Sequence, residues 1–319
     1  MQKIPPLDRL IWVNGEWVPW EQVTVHVLSH CAQRGSLVFD YMSIHETPRG
    51  AAVFRMDLHI RRMLHSCELM GLPIAMDEEA LAAAIVAAAR VNPGAKAVKA
   101  SAYFASVEVD VVPANQRVSV AIAAYDPQTD ILDQNPLRPA KREGPTRLWL
   151  EKEAHQRRED IVSPQAKVSA NYASSMTAKA RAQRMGFDEI LLLDQDGLIA
   201  EGPTSNVFVV DDEGRVLTPP EVRVLRGVTR QSIMEIAQHR GIEVREQKIS
   251  PEQLFEASEI FLTGTTAGVL PVESVDGRPV GDACPGSISL QLKDCLARVE
   301  RGEDPDFSHW LTYLEEGSD

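Results

Sequence analysis

The order in which strand and helix patterns succeed one another is the feature that most constrains the fold of this chain. Strand patterns occur in groups, and helical patterns are inserted between the groups instead of alternating regularly with single strands. Regular alternation predicts a parallel α/β sheet, whereas grouped strands with inserted helices are typical of an α+β fold. The sequence therefore predicts an α+β architecture.

The first strand pair is predicted around an Asn-Gly turn. Residues 10–13 and 16–18 are rich in Val, Ile and Trp, and Asn14-Gly15 between them supplies the positive φ angles of a tight hairpin. Later patterns predict helices over 57–70, 77–91, 169–185, 229–239 and 285–301, and strands over 97–106, 117–124, 189–194, 206–210, 215–218 and 259–262.

A change in composition divides the chain near its middle. Between Tyr125 and Gly144, the pairs Asp126-Pro127, Asn135-Pro136 and Arg138-Pro139 interrupt every periodic pattern. A chain of 319 residues is long enough for two domains. We expect a small N-terminal domain over residues 1–125, an interdomain loop over 126–140 and a larger C-terminal domain over 141–319.

Charge and cysteine usage narrow the class of protein. The formal net charge of −13 argues against a nucleic-acid partner, because neutralising phosphates requires a basic face. The four cysteines are widely spaced, which indicates reduced thiols and a cytoplasmic location rather than disulfides or a zinc site. The most apolar run, residues 81–89, is too short to span a bilayer, so we expect no membrane partner.

Several familiar catalytic and binding motifs do not occur in the sequence. It contains no G-x-G-x-x-G, no G-x-x-x-x-G-K-[ST] and no G-x-S-x-G. His26 and His30 stand four residues apart but lack the glutamate of H-E-x-x-H, so we interpret them as structural. These observations weaken dinucleotide binding, nucleotide hydrolysis and zinc chemistry as functions.

Four short segments carry residues suited to chemistry. Lys167 lies among small residues before a helix, where partial desolvation could make its amine a nucleophile. Glu201 is the last residue of an apolar strand pattern. Residues 225–230 form a glycine turn that leads into a helix, and the start of this helix could bind an anion. Residues 262–268 form a Gly/Thr turn that could supply hydroxyl and amide donors. Taken singly, each also fits a structural role: a solvated lysine, a strand-end charge, a capped helix or an ordinary turn.

In combination and in this order, the segments resemble the class IV pyridoxal-phosphate aminotransferases, and among them the branched-chain amino acid aminotransferases. The similarity begins at residues 11–16, continues through 25–30 and 53–55, and extends to Asp276-Gly277. It implies a two-domain fold of type IV, like that of D-amino acid aminotransferase, with a small N-terminal α/β domain and a C-terminal domain with a β-barrel-like core. It also implies a homodimer in which each site receives a loop from the neighbouring subunit.

The resemblance assigns roles to individual residues. Lys167, in the Ala-Lys-…-Asn-Tyr pattern, would form the Schiff base with pyridoxal 5′-phosphate and later shuttle the proton. Glu201, in the Glu-Gly-…-Asn-Val-Phe pattern, would face the pyridine nitrogen, and Tyr172 would hydrogen-bond the ring hydroxyl oxygen. The positions that match the family's phosphate-binding residues are Arg62, Val228, Thr229 and Thr265.

The substrate pocket departs from the branched-chain pattern. Phe39-Asp40 is followed by Tyr41-Met42-Ser43 where the family continues with Gly-x-Arg, Val98-Lys99-Ala100 replaces Tyr-x-Arg, and Gly268 replaces a glutamate. We therefore expect Arg34 to take over recognition of a carboxylate or polar group, and Phe39 and Tyr41 to shape the side-chain pocket. The predicted substrate-binding set is Arg34, Phe39, Tyr41, Thr266 and Ala267.

The predicted function is ping-pong transamination from an amino donor to a 2-oxo acid acceptor. The altered pocket keeps three alternatives open: an (R)-selective amine or D-amino acid transaminase, an aminodeoxychorismate lyase-type enzyme that eliminates instead of transferring, and a non-catalytic relative. Intact lysine, glutamate, tyrosine and phosphate positions disfavour the last of these.

Overall fold

The computed structural model of the chain describes residues 7–135, 144–152 and 158–315. Its described residues form two compact units of mixed helices and sheets, as the predicted α+β fold requires. The first unit contains residues 7–135, 166–170 and 300–315, and the second contains 144–152, 158–165 and 171–299. The predicted division at residues 125 and 141 stays a prediction, and residues 136–143 lie outside the described part.

The elements are numbered in chain order. The strands are β1 (Leu10–Val13), β2 (Glu16–Pro19), β3 (Leu37–Thr47), β4 (Gly50–Phe54), β5 (Ala97–Tyr103), β6 (Ser119–Tyr125), β7 (Thr146–Glu151), β8 (Glu189–Leu192), β9 (Asn206–Val210), β10 (Val216–Thr218), β11 (Val244–Glu246), β12 (Glu259–Gly264), β13 (Gly268–Val275), β14 (Arg278–Pro279) and β15 (Leu311–Tyr313). The α-helices are α1 (His30–Arg34), α2 (Met56–Leu69), α3 (Glu78–Val91), α4 (Ser169–Arg184), α5 (Val228–His239), α6 (Pro251–Phe255) and α7 (Ser287–Glu300).

An antiparallel sheet forms the centre of the first unit, in the order β15-β4-β3-β5-β6-β1-β2. The predicted Asn-Gly hairpin is present, since Asn14 and Gly15 have φ angles of 51° and 100° and join β1 to β2. The predicted strand over 97–106 ends earlier, at Tyr103, and Pro127–Leu132 forms a short π-helical turn within the expected interdomain loop.

Strand β3 has two different faces. Alternate residues Val38, Asp40, Met42 and Ile44 are buried, and helix α2 packs against the strand on their side. Phe39 and the other intervening side chains are half-buried on the opposite face. Side chains of a strand alternate between its two faces. One set of β3 side chains therefore packs in the core, and the half-buried set on the other face is available to contact a ligand.

A mixed sheet forms the centre of the second unit, in the order β11-β10-β9-β12-β13-β7-β8, with β14 paired to β13. Strands β9 and β10 are antiparallel, as their predicted hairpin requires, and β7 is parallel to both β8 and β13. The strands β9 and β12 are buried over most of their length, which explains their nearly continuous apolar sequence. This sheet holds the turns that carry the candidate site residues of the unit.

Glu300, at the end of α7, is a half-buried acid whose pKa is shifted by its surroundings in the fold. Burial raises the pKa of Glu300 to about 7, and the charge of Arg301 opposes this only in part. The nearest imidazole nitrogen, Nε2 of His45, is 3.8 Å away, but burial lowers the pKa of His45 to about 4. Between these values both groups are neutral, so the short distance does not represent an ion pair.

We predict that Glu300 makes the protein less stable as the pH rises. Because its pKa is raised in the folded state, its stabilising effect is complete below about pH 4.5 and is lost as the pH rises through about 7. Chemical unfolding from pH 4.5 to 8 should therefore show a pH-dependent loss of up to about 3 kcal/mol that Glu300→Gln removes. The exposed Glu68→Gln is the control, and an unchanged pH dependence in Glu300→Gln would contradict the prediction.

Candidate functional site

The main chain around Lys167 is fixed against β3. Val168 forms an antiparallel bridge to the strand, and the N–H of Phe39 donates to the carbonyl oxygen of Lys167 at 3.0 Å. The N–H of Lys167 donates to Oγ of Ser66 on α2 at 3.0 Å. The residues on either side, Ala166 and Val168, are buried, while Lys167 itself is half-buried. The lysine is thus presented from a rigid segment, as a nucleophilic amine requires.

Two ammonium groups lie over the ring of Phe39. The Nζ atom of Lys167 is 5.0 Å from the ring centroid, and the Nζ atom of Lys99 on β5 is 4.6 Å from it. Burial lowers the pKa of Lys99, and the charge of Lys167 lowers it further. This part of the first unit therefore concentrates positive charge next to an aromatic surface, although the whole chain is acidic.

The register between β3 and β5 determines which residues of β5 lie on the same face of the sheet as Phe39. Val98 and Ala100, the positions where the resemblance expects tyrosine and arginine, are fully buried on the face that includes Asp40. Lys99 pairs with Tyr41 and therefore lies on the face of Phe39. The sequence analysis missed Lys99 as a site residue, and the signal that could have found it is the two-residue alternation of β5.

A buried carboxylate fixes Arg62. Nε and Nη2 of Arg62 donate to the two oxygens of Asp40 at 2.9 and 2.7 Å, and all three groups of the Asp40–His59–Arg62 cluster are buried. Burial alone would raise the pKa of Asp40, but the Arg62 guanidinium and the His59 contact outweigh it and hold the pKa well below its usual range. The two-point contact sets the orientation of the predicted phosphate-binding arginine.

His59 completes this cluster in its neutral form. Its Nδ1 is 2.7 Å from Asp40, and because Asp40 is ionised, Nδ1 carries the proton. Burial lowers the pKa of His59 against the attraction of Asp40, and the charges of Arg62 and Lys167 add to the lowering. Its Nε2 atom is buried and has no hydrogen-bond partner among the described residues.

In the second unit, Glu201 is held by hydrogen-bond donors. The residue is 2% exposed, and its carboxylate accepts from Nδ2 of Asn206 at 3.0 Å and from the N–H of Leu225 at 3.1 and 3.2 Å. A bridge between Glu201 and Asn206 closes the turn that joins them. These contacts fix a carboxylate at the end of a strand, where it can accept a further N–H from a ligand.

The start of α5 is a candidate anion site. Its N-cap is Gly227, which offers no side chain to the first N–H groups, and buried Val228 and Thr229 follow. A Cβ atom at Gly227 would overlap the side chain of Asn206, so the turn needs glycine at this position. Helix starts of this kind bind phosphate through their N–H groups.

The Gly/Thr turn joins β12 to β13 beside the turn of Glu201. Thr263 pairs with Asn206, so residues 265–267 follow directly from a strand that adjoins Glu201. Thr265 is half-buried, whereas Thr266 and Ala267 are exposed. Two buried hydroxyl oxygens in this region, Oγ1 of Thr263 and Oγ of Ser205, have no partner within the described part of the chain.

Tyr172 and Arg34 occupy different surroundings. Tyr172 is half-buried in the first turn of α4. Arg34, at the end of α1, is exposed, and its guanidinium donates to the carbonyl oxygens of Gln33 and Val109 at 3.3 and 2.9 Å. In the first unit the fold therefore brings Lys167 and Arg62 close to β3, the strand that carries Phe39. The side chain of Arg34 instead contacts a loop.

The residues present match the chemical demands of pyridoxal 5′-phosphate. The first unit presents an anchored amine, which the aldehyde of this cofactor needs. The second unit by itself presents an uncapped helix start and a fixed carboxylate acceptor, which a phosphate and a ring nitrogen need. Across residues 7–135, 144–152 and 158–315, no helix is long and apolar enough to cross a membrane, and no three His, Cys, Asp or Glu residues could hold a metal ion together.

Comparisons with known proteins agree with the predicted family. A family model described as amino-transferase class IV matches residues 37–275. The branched-chain-amino-acid aminotransferase of Escherichia coli (strain K12) is 33% identical over 96% of this chain and 97% of its own, and that of Pseudomonas aeruginosa is 30% identical over 97% and 98%. The T.th. branched-chain amino acid aminotransferase, in its crystal structure with pyridoxamine 5′-phosphate, superposes with a TM-score of 0.87 at 32% identity, covering 98% of this chain and 100% of that one.

We predict that Asp40→Asn strongly destabilises the protein. The substitution removes the carboxylate charge to which the buried Arg62 donates two hydrogen bonds, and this should cost about 3–5 kcal/mol in the free energy of unfolding near neutral pH. The matched control is Asp57→Asn, which breaks the exposed pair with Arg61 and should cost less than about 1 kcal/mol. Equal losses in the two variants, measured by urea unfolding, would show that the buried cluster contributes no more than a surface pair.

Proposed function

Because this chain belongs to the class IV aminotransferases, we propose that it transfers the amino group of a branched-chain-like amino acid to a 2-oxo acid, with pyridoxal 5′-phosphate as cofactor. The observation that carries the proposal is the presentation of Lys167, an amine half-buried over Phe39 whose main chain is bonded on both sides. The named relatives are branched-chain aminotransferases, and they favour transamination over the amine, D-amino acid and lyase alternatives.

Each protein group has a defined task in this proposal. When bound, pyridoxal 5′-phosphate supplies an electron sink for the pair left when the substrate Cα–H bond breaks. Lys167 would hold the cofactor through its amine, and the same amine, when free, would take the proton from the substrate Cα. Glu201 would stabilise a proton at the pyridine nitrogen by its negative charge.

The remaining cofactor contacts follow from the charges and donors described above. Arg62 and the N–H groups that begin α5 at Val228 and Thr229 would bind the phosphate, and Thr265 would add a hydroxyl. Tyr172 would donate a hydrogen bond to the ring hydroxyl oxygen. The donor leaves as a 2-oxo acid before the acceptor enters, which makes the reaction ping-pong.

The open face of β3 supplies the substrate side-chain pocket in this proposal. Phe39 and Tyr41 limit the space for the substrate side chain, and the main chain of Thr266 and Ala267 offers polar contacts. Tyr41 in place of glycine narrows the pocket, and Ser43 and Gly268 remove polar groups that the resemblance places around it. Because of these departures, we propose a branched-chain-like amino acid as the donor and do not assign one particular amino acid.

We also propose a homodimer, formed through an exposed apolar surface of the first unit. We call this set of apolar residues the valine surface. They lie on two adjoining loops, and each residue is 48–87% exposed: Val25, Val27, Leu28, Val107, Val109, Val111 and Val112. A bridge from Ser29 to Val107 and a 2.9 Å hydrogen bond between Nε2 of His30 and the carbonyl of Val111 join the loops. Contiguous apolar patches of this kind mark interaction sites.

Arg34 lies at this surface and is our candidate for a residue donated to the neighbouring subunit. Its bond to the Val109 carbonyl orients the guanidinium along the loop. In the partner's pocket it would recognise a carboxylate or polar group of the substrate. The four cysteines, all free, fit the reduced thiols of the cytoplasm, which is the location we propose.

We predict that Lys167→Ala abolishes transamination and cofactor attachment. Wild-type protein soaked with pyridoxal 5′-phosphate and reduced with borohydride should carry the adduct on the peptide that contains Lys167, detected by mass spectrometry. The control Lys152→Ala removes an exposed lysine paired with Asp276 and should leave the adduct and the activity intact. An adduct on another lysine, or none in wild-type protein, would refute the proposal.

We predict that two impaired variants restore each other's activity when their subunits exchange. Arg34→Ala should raise the KM for the donor, and Lys167→Ala should be inactive. In a random mixture of dimers, roughly a quarter of the sites would combine an intact Lys167 with an intact Arg34 from the neighbour. The activity of the mixture at low substrate concentration is compared with the sum of the activities of the two variants measured separately. A mixture no more active than this sum would show that Arg34 contributes to no site of the partner subunit. Light scattering tests the dimer itself.

A further inference from the structure

Glu300 is a half-buried carboxyl that the proposed reaction does not use. Its side chain is 19% exposed, and none of the described residues donates a hydrogen bond to its carboxyl oxygens. The nearest imidazole nitrogen is Nε2 of His45 on β3, 3.8 Å from Oε1. Largely buried polar groups normally acquire a hydrogen-bond partner, so a carboxyl kept in this state calls for an explanation.

The same nitrogen of His45 connects Glu300 with the open face of β3. Nε2 of His45 lies 2.7 Å from Oγ of Ser43, two residues earlier in the strand. Alternation places both residues, each half-buried, on the face that carries Tyr41. The ring of Phe54 on β4 packs edge-on against the imidazole, with 6.1 Å between the ring centroids. Ser43, His45 and Glu300 therefore form a connected set of side chains that we call the polar row.

The other charged groups around Glu300 have contacts of their own. The turn after α7 lies against the ends of β3 and β15, because a Cβ atom at Gly302 would come within 3.3 Å of both strands' side chains or neighbours. The charged and titratable groups of these elements are paired or capped as follows: Arg301 with Glu303, Glu46 with Lys96, Arg49 stacked on Tyr313, and Asp304 capping the turn that follows it.

Within the polar row only Glu300 changes its charge near neutral pH. Burial raises the pKa of Glu300 to about 7, opposed in part by the charge of Arg301, and burial lowers the pKa of His45 to about 4. The imidazole is thus neutral on both sides of the Glu300 titration. A neutral imidazole carries its proton on either Nδ1 or Nε2, and its surroundings select between the two tautomers.

The two states of Glu300 favour different tautomers of His45. The negative charge of ionised Glu300 favours a proton on Nε2, and Oγ of Ser43 then accepts from that N–H. The hydroxyl proton of Ser43 is thereby left to donate to another group on the open face. When Glu300 is protonated, its carboxyl and the Ser43 hydroxyl both offer O–H donors, and Nε2 becomes the acceptor.

We propose that Glu300 selects the tautomer of His45 and thereby determines whether Ser43 donates or accepts a hydrogen bond in the substrate side-chain pocket. The inference rests on the proposed transamination, which places the substrate side chain on the open face of β3. Ionised Glu300 makes the pocket prefer an amino donor whose side chain contains an acceptor oxygen, and protonated Glu300 removes that preference. His45 and Glu300 act through Ser43 and are positioning residues.

The first measurement follows the tautomer by nitrogen-15 NMR of histidine-labelled holoenzyme from pH 5.5 to 8.5, with His45→Gln to identify the signals. The ratio of Nε2–H to Nδ1–H in His45 should rise about tenfold, with a midpoint near pH 7. Glu300→Gln should remove the rise, because its amide is neutral at every pH. The matched control is Glu68→Gln, whose exposed carboxylate lies 3.6 Å from Nδ1 of His65 and should not affect His45.

The second measurement compares two amino donors that differ at one position of the side chain. O-methyl-L-homoserine has an ether oxygen where L-norleucine has a methylene, so only the ether accepts a hydrogen bond from Ser43. The ratio of their kcat/KM values, ether over norleucine, should rise about three- to tenfold from pH 6 to 8 in wild-type protein. It should stay constant in Glu300→Gln and in Ser43→Ala, although Ser43→Ala should keep the tautomer change.

Two results would overturn the inference. One is a His45 tautomer that does not change with pH, or that changes equally in Glu300→Gln. The other is a donor ratio with the same pH dependence in wild-type protein and Ser43→Ala, which would show that Ser43 does not contact the substrate side chain. The NMR measurement needs no turnover. A holoenzyme that shows the tautomer change but transfers no amino group would contradict the proposed function and leave the polar row standing.

Discussion

The pairing of Lys167 and Val168 with β3 is the constraint on which the first unit's part of the site depends. Its hydrogen bonds place Lys167 beside Phe39 and tie the lysine's N–H to Ser66 on α2. Oγ of Ser66 in turn donates to the carbonyl of Arg62 at 2.7 Å, so the lysine segment and the arginine are connected through one helix turn. A shift of β3 by one residue would reverse its faces and move Phe39 into the core.

Asp40 shows how the same strand serves stability and function together. On the buried face its carboxylate compensates the charge of Arg62 and orients it, and this makes an otherwise costly buried arginine tolerable. The resulting cationic group is then fixed before any ligand arrives. Preorganisation of this kind reduces the entropy lost when an anion binds.

Sequence reasoning succeeded where the signal is local. Asn14-Gly15 predicts a hairpin because few other residues accept positive φ, and the helix at α3 follows from its acidic first turn, where Asp77 accepts from the N–H of Ala80. Lys167 and Glu201 were identified because a reactive residue type stands in a distinctive short pattern, and their assigned roles remain predictions. Neither the Asp40–His59–Arg62 cluster nor Lys99 was found, since residues brought together by strand register and helix packing leave no contiguous motif.

The same limit applies to specificity. Comparing letters along β5 suggests that Val98 and Ala100 replace a tyrosine and an arginine, and therefore that the pocket has lost its means of holding a carboxylate. The sheet shows that these two side chains are buried, while Lys99 shares a face with Tyr41 and Phe39. Because side chains alternate between the two faces of a strand, a shift of one residue decides whether a side chain lies in the pocket or in the core. The two-residue alternation of β5 thus puts the ammonium group of Lys99 on the side of Phe39.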